Sequence, residues 1–398
     1  MAITINTEPN DVSPVYSDIS YVVTSTNYAQ ANFKFIAVIK NASGTTIAKL
    51  KAPIFHGTTD KGVFNISRIL QNYVTYDFTQ NLTAISKCNN SYLAYSVEFG
   101  EEYGGTEYLN LASDTGKYVW NGLFNLYGSE TPDTYKINVT PNSAKFLTRV
   151  RPRIVTREQY DYLYFLLLGF NIEPKVIAYN AAGSVIATSY LKLPWTPSTA
   201  DTSQFMVRFG AGVVQLNALT AGELTSGTPG SVVPVGTAYY TIQFTQTIGG
   251  NFSEVYRFDV VEECSKYVPQ YLYFLNPLGG FESVRCSMAS RDKYSVSRKQ
   301  FKRNNYTLTG NTFAYDKTKH GMTSYATEKT KQVVLNTNWL NEVEFEWLQD
   351  LIASPVVFLG DIPVNITDTN YEVFDYIDGP NNLQITVEYT EPERLQNA

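Results

Sequence analysis

Several residue classes are scarce in this chain, and each scarcity closes off a class of function. Charged residues make up 17% of the 398 positions, below the quarter or so of an average domain. The net charge is −6, so no overall field draws nucleic acid. Three cysteines are too few for a disulfide framework and point to folding in a reducing compartment. Only two histidines occur, His56 and His320. Neither neighbours a serine or cysteine motif and no Gly-x-Ser-x-Gly is present, so no nucleophile–base triad is expected. His56 reads as a half-buried strand-end residue and His320 as part of a solvated loop. The longest apolar run, Leu163 to Phe170, is too short to cross a bilayer. The opening MAITINTEPN lacks the basic and apolar regions of a secretory signal. Phosphate-binding glycine loops are missing too.

What the chain does have is tyrosine and phenylalanine, 30 and 22 of them. These residues, with Val, Ile and Thr, suit the pleated, half-buried surface of a sheet, and tyrosine is favoured at interfaces. Turn signals recur between apolar runs, at Asn41–Gly44, Gly104-Gly105, Asn180–Gly183, Gly249–Asn251 and Asn276–Gly280. The composition predicts a mainly β chain of antiparallel hairpins. An internal repeat supports modules. VIKNASGTTIAKLKAP (Val38 to Pro53) aligns with IAYNAAGSVIATSYLKLP (Ile177 to Pro194), and YLAYSVEFGEEYGG (from Tyr92) loosely matches YYTIQFTQTIGG (from Tyr239). We therefore expect tandem antiparallel β-sandwich domains over 1–142 and 143–262. A third domain, 263–398, should be a hairpin plus a small α+β domain. Its single amphipathic helix lies in NEVEFEWLQDLIASP, with Asn341 as cap and Val343, Trp347, Leu348, Leu351 and Ile352 as the apolar stripe. The Gly/Pro-rich stretch Leu219 to Thr237 reads as an exposed, mobile loop.

The pentapeptide YLYFL occurs twice, at Tyr162–Leu166 and Tyr271–Leu275. Neither face of such a strand is polar, so both faces should be covered. A helix competes for the first copy, because Thr156 and Gln159 have capping-box spacing. The second copy follows Pro269 and runs into Asn-Pro-Leu-Gly-Gly, which favours a strand for both.

Little else points to chemistry. Cys264 and Cys286 flank the second YLYFL hairpin, but hairpin register keeps them apart, so they read as small buried thiols, and Cys88 stands alone. Asp361, Asn365, Asp368 and Asn370 could offer oxygens to calcium, and a hydrophilic turn explains them better. The carboxylates of Glu101-Glu102 and Glu262-Glu263 point to opposite faces if extended. No catalytic residue, metal site or cofactor is expected. One charge feature stands out: Arg285, Arg291, Lys293, Arg298, Lys299, Lys302 and Arg303 face a single Asp292 within Arg285 to Arg303. They read either as a solvated strand or as a strip that docks on an acidic neighbour; nucleic-acid binding ranks last, with no accompanying motif. Trp195, in Leu-Pro-Trp-Thr-Pro, is the one tryptophan that looks loop-borne and is the candidate for stacking on a glycan.

Two blocks, ECSKYVPQYLYFLNPLGGFESVRC and WLNEVEFEWLQDLIASPVVFLGDIPVNITDTNYEVF, resemble virion proteins of tailed bacteriophages that infect Bacteroidetes. Those are similar in a YLYWLNxxGGW/F hairpin and a closing helix followed by strands. Phe281 stands here where tryptophan often follows Gly-Gly. The likeness covers roughly residues 145–390. It implies a structural tail or tail-tip protein (baseplate, ring or fibre attachment), made in the host cytoplasm without a signal peptide and built into the virion. Its partners would be other virion proteins and copies of itself, as a ring- or fibre-symmetric homo-oligomer. It implies no enzyme and no cofactor. The alternative is an adhesin that binds a host receptor or glycan, with a polysaccharide depolymerase third.

Overall fold

The structure, a computed structural model, describes residues 3–124, 131–137, 143–168, 172–195, 204–246, 250–262, 266–318, 321–340, 342–368, 382–391 and 393–394. The chain is mainly β, with several open sheets. It divides into two compact units, 1–263 with 275–282, and 264–274 with 283–398.

In the first unit the elements run β1 (Ile3–Thr7), β2 (Val12–Pro14), β3 (Ser20–Ser25), β4 (Lys34–Asn41), β5 (Thr46–Ala52), β6 (Lys61–Asn65), α1 (Ser67–Leu70), β7 (Ile85–Lys87), β8 (Tyr92–Tyr103) and β9 (Thr106–Trp120). There follow β10 (Lys136–Ile137), β11 (Arg153–Val155), β12 (Tyr162–Leu168), β13 (Glu173–Tyr179), β14 (Val185–Leu191), β15 (Gln204–Gly210), α2 (Val213–Asn217), β16 (Leu224–Ser226), β17 (Tyr239–Gln246), β18 (Gly250–Asn251) and β19 (Tyr256–Val260).

Strand pairing follows one plan twice. The sheet β2-β9-β8-β4-β5 has the connectivity of β11-β19-β17-β13-β14, the latter extended by β16. The outer strand joins in parallel in both, Val12 opposite Tyr118 and Arg153 opposite Phe258. The companion sheets, β1-β3-β6 and β10-β12-β15-β7, match in strand order, although β1 joins antiparallel and β10 in parallel, and a single helical turn, α1 or α2, follows β6 or β15.

The chemistry of one turn explains the repeated letters. Asn41 Oδ1 accepts the backbone N–H of Ser43 and Thr45, and Asn180 Oδ1 accepts those of Ala182 and Ser184. Such side-chain-closed turns need a residue at positive φ, which Gly44 and Gly183 supply at 80° and 78°. The looser match is out of register. Ser96 lies opposite Lys40, and Tyr239 lies opposite Tyr179, the counterpart of Lys40. Pairing thus equates Tyr239 with Ser96, not with Tyr92. What the two strands share is a buried face, Val97 and Phe99 in one and Tyr240 and Ile242 in the other, rather than their opening aromatics.

Two apolar cores fill the unit. One gathers Tyr21, Phe35, Val97 and Phe99; the other gathers Phe146, Phe165, Val207 and Phe244. Ala84 and Ile85 belong to the second core, because β7 pairs with β15, Ile85 opposite Phe209. The stretch expected to be a mobile loop is tied down instead. Val232 and Val233 are fully buried, and the Asn217 amide clamps Val233 by donating to its carbonyl and accepting its N–H. Two buried valines outweigh the Gly/Pro composition around them. His56 is exposed in a turn beyond β5, not half-buried.

The second unit holds β20 (Gln270–Leu275), β21 (Phe281–Cys286), β22 (Arg291–Lys302), β23 (Tyr306–Thr309), β24 (Thr312–Tyr315), β25 (Met322–Asn336), α3 (Glu342–Ile352), β26 (Val357–Leu359), β27 (Ile362–Ile366), β28 (Gln384–Tyr389) and β29 (Glu393–Arg394). The tip of the β20–β21 hairpin, 275–282, counts with the first unit. The main sheet runs β21-β20-β26-β27-β28-β25-β22. Flat, its edges would lie about 29 Å apart at about 4.8 Å per strand. The link from Cys286 to Arg291 can span only about 18 Å. The sheet therefore curls, and Asn336 Nδ2 donates to Ala289 O across the gap at 2.6 Å. Phe345, Leu348 and Leu351 of α3 pack with Leu272, Val333 and Ile385 in this unit's core. Val343, expected on the apolar stripe, is 58% exposed. It sits about 140° round the axis from Leu348 at about 100° per residue, and Phe345 takes its place. The expected cap, Asn341, lies outside the described residues.

Candidate assembly surface

Both YLYFL copies are strands. Tyr162 to Leu166 are buried on either face of β12, as are Leu272 to Leu275 of β20. Thr156 and Gln159 do make a capping contact, Thr156 N–H donating to Gln159 Oε1 at 3.2 Å, but the chain enters a strand rather than a helix. The copies are not equivalent pieces of their sheets: β12 corresponds to β3 in the pairing plan, whereas β20 is a hairpin arm beside β21 and β26.

The Asn-Pro-Leu-Gly-Gly tip, within the first unit, is seated by hydrogen bonds at nearly every residue. Asn276 Oδ1 accepts Gly280 N–H at 2.9 Å, while Asn276 Nδ2 donates to Leu147 O and to Glu282 Oε1. Leu123 N–H donates to Pro277 O, and the buried Trp120 donates Nε1–H to Leu278 O at 3.0 Å. Gly279 has φ 91°, and a Cβ there would lie 1.9 Å from Asn121 O. Phe281 stacks on Phe78 at 4.6 Å. These contacts account for each letter of the motif. Gly279→Ala combines a disfavoured φ with a backbone clash. We expect it to lower the thermal unfolding midpoint and open the tip to limited proteolysis, with a loss of about 2–4 kcal/mol; an unchanged midpoint would count against the seating described.

Arg153 lies beneath the tip. Its guanidinium donates to Asp161 Oδ1 at 2.5 Å, Tyr162 O at 3.0 Å, Thr148 Oγ1 at 3.0 Å and Glu282 Oε1 at 3.3 Å. Burial works against its charge, and the carboxylates of Asp161 and Glu282 outweigh that and keep it protonated. The cluster is buried on all sides.

The basic residues sit elsewhere. Arg285 is on β21, the other end strand of the curled sheet from β22, so it lies on a different strand from the other six. Arg291, Lys293, Arg298, Lys299 and Lys302 lie on β22 and Arg303 just beyond it, all exposed. Alternation along the strand divides them. Arg291, Lys293 and Lys299 point one way, and Arg298 and Lys302 the other, so the expected single strip is a two-faced one.

β22 pairs only with β25, from Arg291 opposite Val334 to Lys302 opposite Met322. The far edge of β25 takes β28 from Gln332 onward and β29 at Glu328 and Lys329. Past Thr327, among the described residues, the pair has no further strand on either edge, and β23 and β24 form a further hairpin at its end. There Tyr306 opposes Tyr315 and Leu308 opposes Phe313, which puts all four on one face. Leu308 and Tyr315 are 67% and 68% exposed. An isolated hairpin is marginal in water, and this one offers an open aromatic face.

Some charges on the ribbon are met locally and some are not. Lys331 bonds Asp292 at 3.0 Å, and Lys329 lies over the Tyr294 ring. Among the described residues, none of Arg291, Lys293, Arg298, Lys299, Lys302 and Arg303 makes a side-chain ion pair. The first unit handles exposed lysines differently. Lys40 pairs with Glu98, Lys49 with Glu107, and Lys51 with Glu102 and Glu107.

Trp195 is half-buried. Phe205 meets it edge-on at 5.7 Å and Lys87 Nζ lies 5.2 Å over its face. It lines an open cleft of about 530 Å³ with Leu193, Leu219 and Glu223. Cys88 and Cys286 are buried free thiols. Cys264, His320 and Asn370 lie outside the described residues. Asp368 accepts the N–H of Thr386, and among the described residues no cluster of His, Cys, Asp and Glu could hold a metal ion. Glu101 is buried, accepting from Ser25 Oγ and Asn27 Nδ2, while Glu102 turns outward to Lys51.

No protein-family model matches the sequence, and no curated protein matches it either.

Proposed function

We propose that this chain is a structural component of a tailed-bacteriophage virion, a tail or tail-tip protein that acts by subunit–subunit assembly. Its framework is two tandem antiparallel β-sandwich modules and a C-terminal α+β unit with one helix. The observation that carries this reading is the ribbon of β22 and β25 with its β23–β24 tip. Twelve consecutive exposed strand residues, a strand edge without a partner among the described residues and an aromatic face are a liability in a monomer, and the same features give affinity and register when a partner covers them. The resemblance of the YLYFLNPLGGF hairpin and the closing segment to phage virion proteins supports the virion as the setting.

The test is mass spectrometry and immunogold labelling of phage particles purified to constant density from a Bacteroidetes host whose phage encodes this chain. We expect the chain at a fixed copy number in the tail, with gold confined to one part of it. A chain found in the lysate and missing from the particle would overturn the reading.

A further inference from the structure

Resting on that assembly reading, we propose that the ribbon's partner is a second copy of this chain, docked head to tail through the acidic body of its own C-terminal unit. The charge distribution points there. Residues 291–336 contain ten basic and three acidic residues, while residues 337–398 contain twelve acidic and one basic. One unit thus carries a strongly positive extension and a strongly negative body. In their own chain the six ribbon cations make no ion pair with that body among the described residues.

The body carries exposed acidic and apolar groups. Glu346 is exposed on the solvent side of α3, and Asp361 is exposed in the β26–β27 turn. Val343 and Trp339, 58% and 57% exposed, add apolar area in the same acidic segment. Tyr294, Phe301 and Tyr315 are the corresponding apolar groups among the ribbon's cations. Complementary potentials of this kind steer and register an encounter. Ribbon and body are different surfaces, so the contact is heterologous, and repetition closes a ring or extends a filament.

Two charge-reversed chains separate this from other partners. One carries Arg298→Glu and Lys299→Glu in the ribbon; the other carries Glu346→Lys and Asp361→Lys in the body. All four positions are solvent-facing, so both chains should keep the wild-type circular dichroism and unfolding midpoint. In sedimentation velocity at low salt the wild type should form oligomers that dissociate as salt screens the contact. Each reversed chain alone should associate at least about 100-fold more weakly, the size expected for a few close charge pairs. Mixed, they should oligomerise again as alternating copies, because each chain's ribbon matches the other chain's body in charge. A single chain bearing all four changes should oligomerise again. A body-reversed chain that oligomerises like the wild type would overturn the docking site and leave the assembly role standing. A wild-type chain that stays monomeric would overturn self-docking, and only its absence from particles would remove the virion role as well.

Discussion

Replacing Arg153 by methionine should cost the first unit about 3–5 kcal/mol, the usual price of leaving buried charge uncompensated. Most domains hold only about 5–15 kcal/mol in total, so the variant should be close to unfolded at 37 °C. The physical reason is specific. Arg153 faces two carboxylates, Asp161 and Glu282, and all three side chains are at most 2% exposed. Methionine matches the apolar volume of the stem but leaves those two negative charges in a site closed to water. Arg153→Lys keeps the charge and loses the fork that reaches Asp161, Thr148 and Glu282 together, so its loss should be intermediate. Neutralising the acids beside methionine, with Asp161→Asn and Glu282→Gln, should recover much of the deficit. Urea unfolding of the three variants checks the order. If the triple variant is no more stable than Arg153→Met alone, the cost is one of packing and not of charge.

The turn at Asn41 and the turn at Asn180 show how much of this fold could be read beforehand. A side-chain-closed turn with its glycine is a local event, so its letters recur wherever the turn does. The partner strand carries no such constraint: only its buried face is shared, and matching letters misplaced it by four residues. The two YLYFL stretches mislead in the other direction. Identical letters mean that both strands are buried on both faces, yet β12 is an inner strand packed on the Phe146 and Phe244 core and on the loop at 77–79, whereas β20 is a hairpin arm in another sheet. Arg153, Asp161 and Glu282 were invisible as a group because they are brought together by long-range pairing. The basic residues were legible as a cluster but not as a ribbon. Strand alternation split them across two faces, and Arg285 went to a different strand, β21. The exposed apolar residues Tyr306, Leu308, Phe313 and Tyr315 look like core residues in a sequence, because an apolar surface has the composition of a core.

Alkaline solution should unfold the first unit in one cooperative step soon after pH 10. Tyr21, Tyr162, Tyr164, Tyr240 and Tyr256 are all buried. Burial is the main reason each phenol resists ionisation: Tyr162 and Tyr256 are pushed up to about 12, and Tyr21, Tyr164 and Tyr240 are raised as well. Each hydroxyl donates its proton within the fold. Tyr240 donates to Ala211 O and Tyr256 to Val150 O, both at 2.6 Å, and Tyr21 donates to Asp114 at 2.9 Å. In the unfolded chain tyrosine ionises near pH 10. Below that pH both states hold these protons and stability is unaffected. Above it only the folded state holds them, so the unfolded state is favoured by about 1.4 kcal/mol per pH unit for each such tyrosine. Five acting together give a slope of about 7 kcal/mol per pH unit, enough to exhaust an ordinary stability within one to two units. Phenolate absorbance and near-ultraviolet circular dichroism followed on one sample should show the exposed tyrosines titrating first with structure intact. The buried set should then appear in a single step that coincides with loss of the dichroism. Tyr256→Phe removes one of the five and should make the fall in stability with pH measurably shallower. A smooth titration of every tyrosine with the dichroism preserved would mean that the phenols are not enclosed as described.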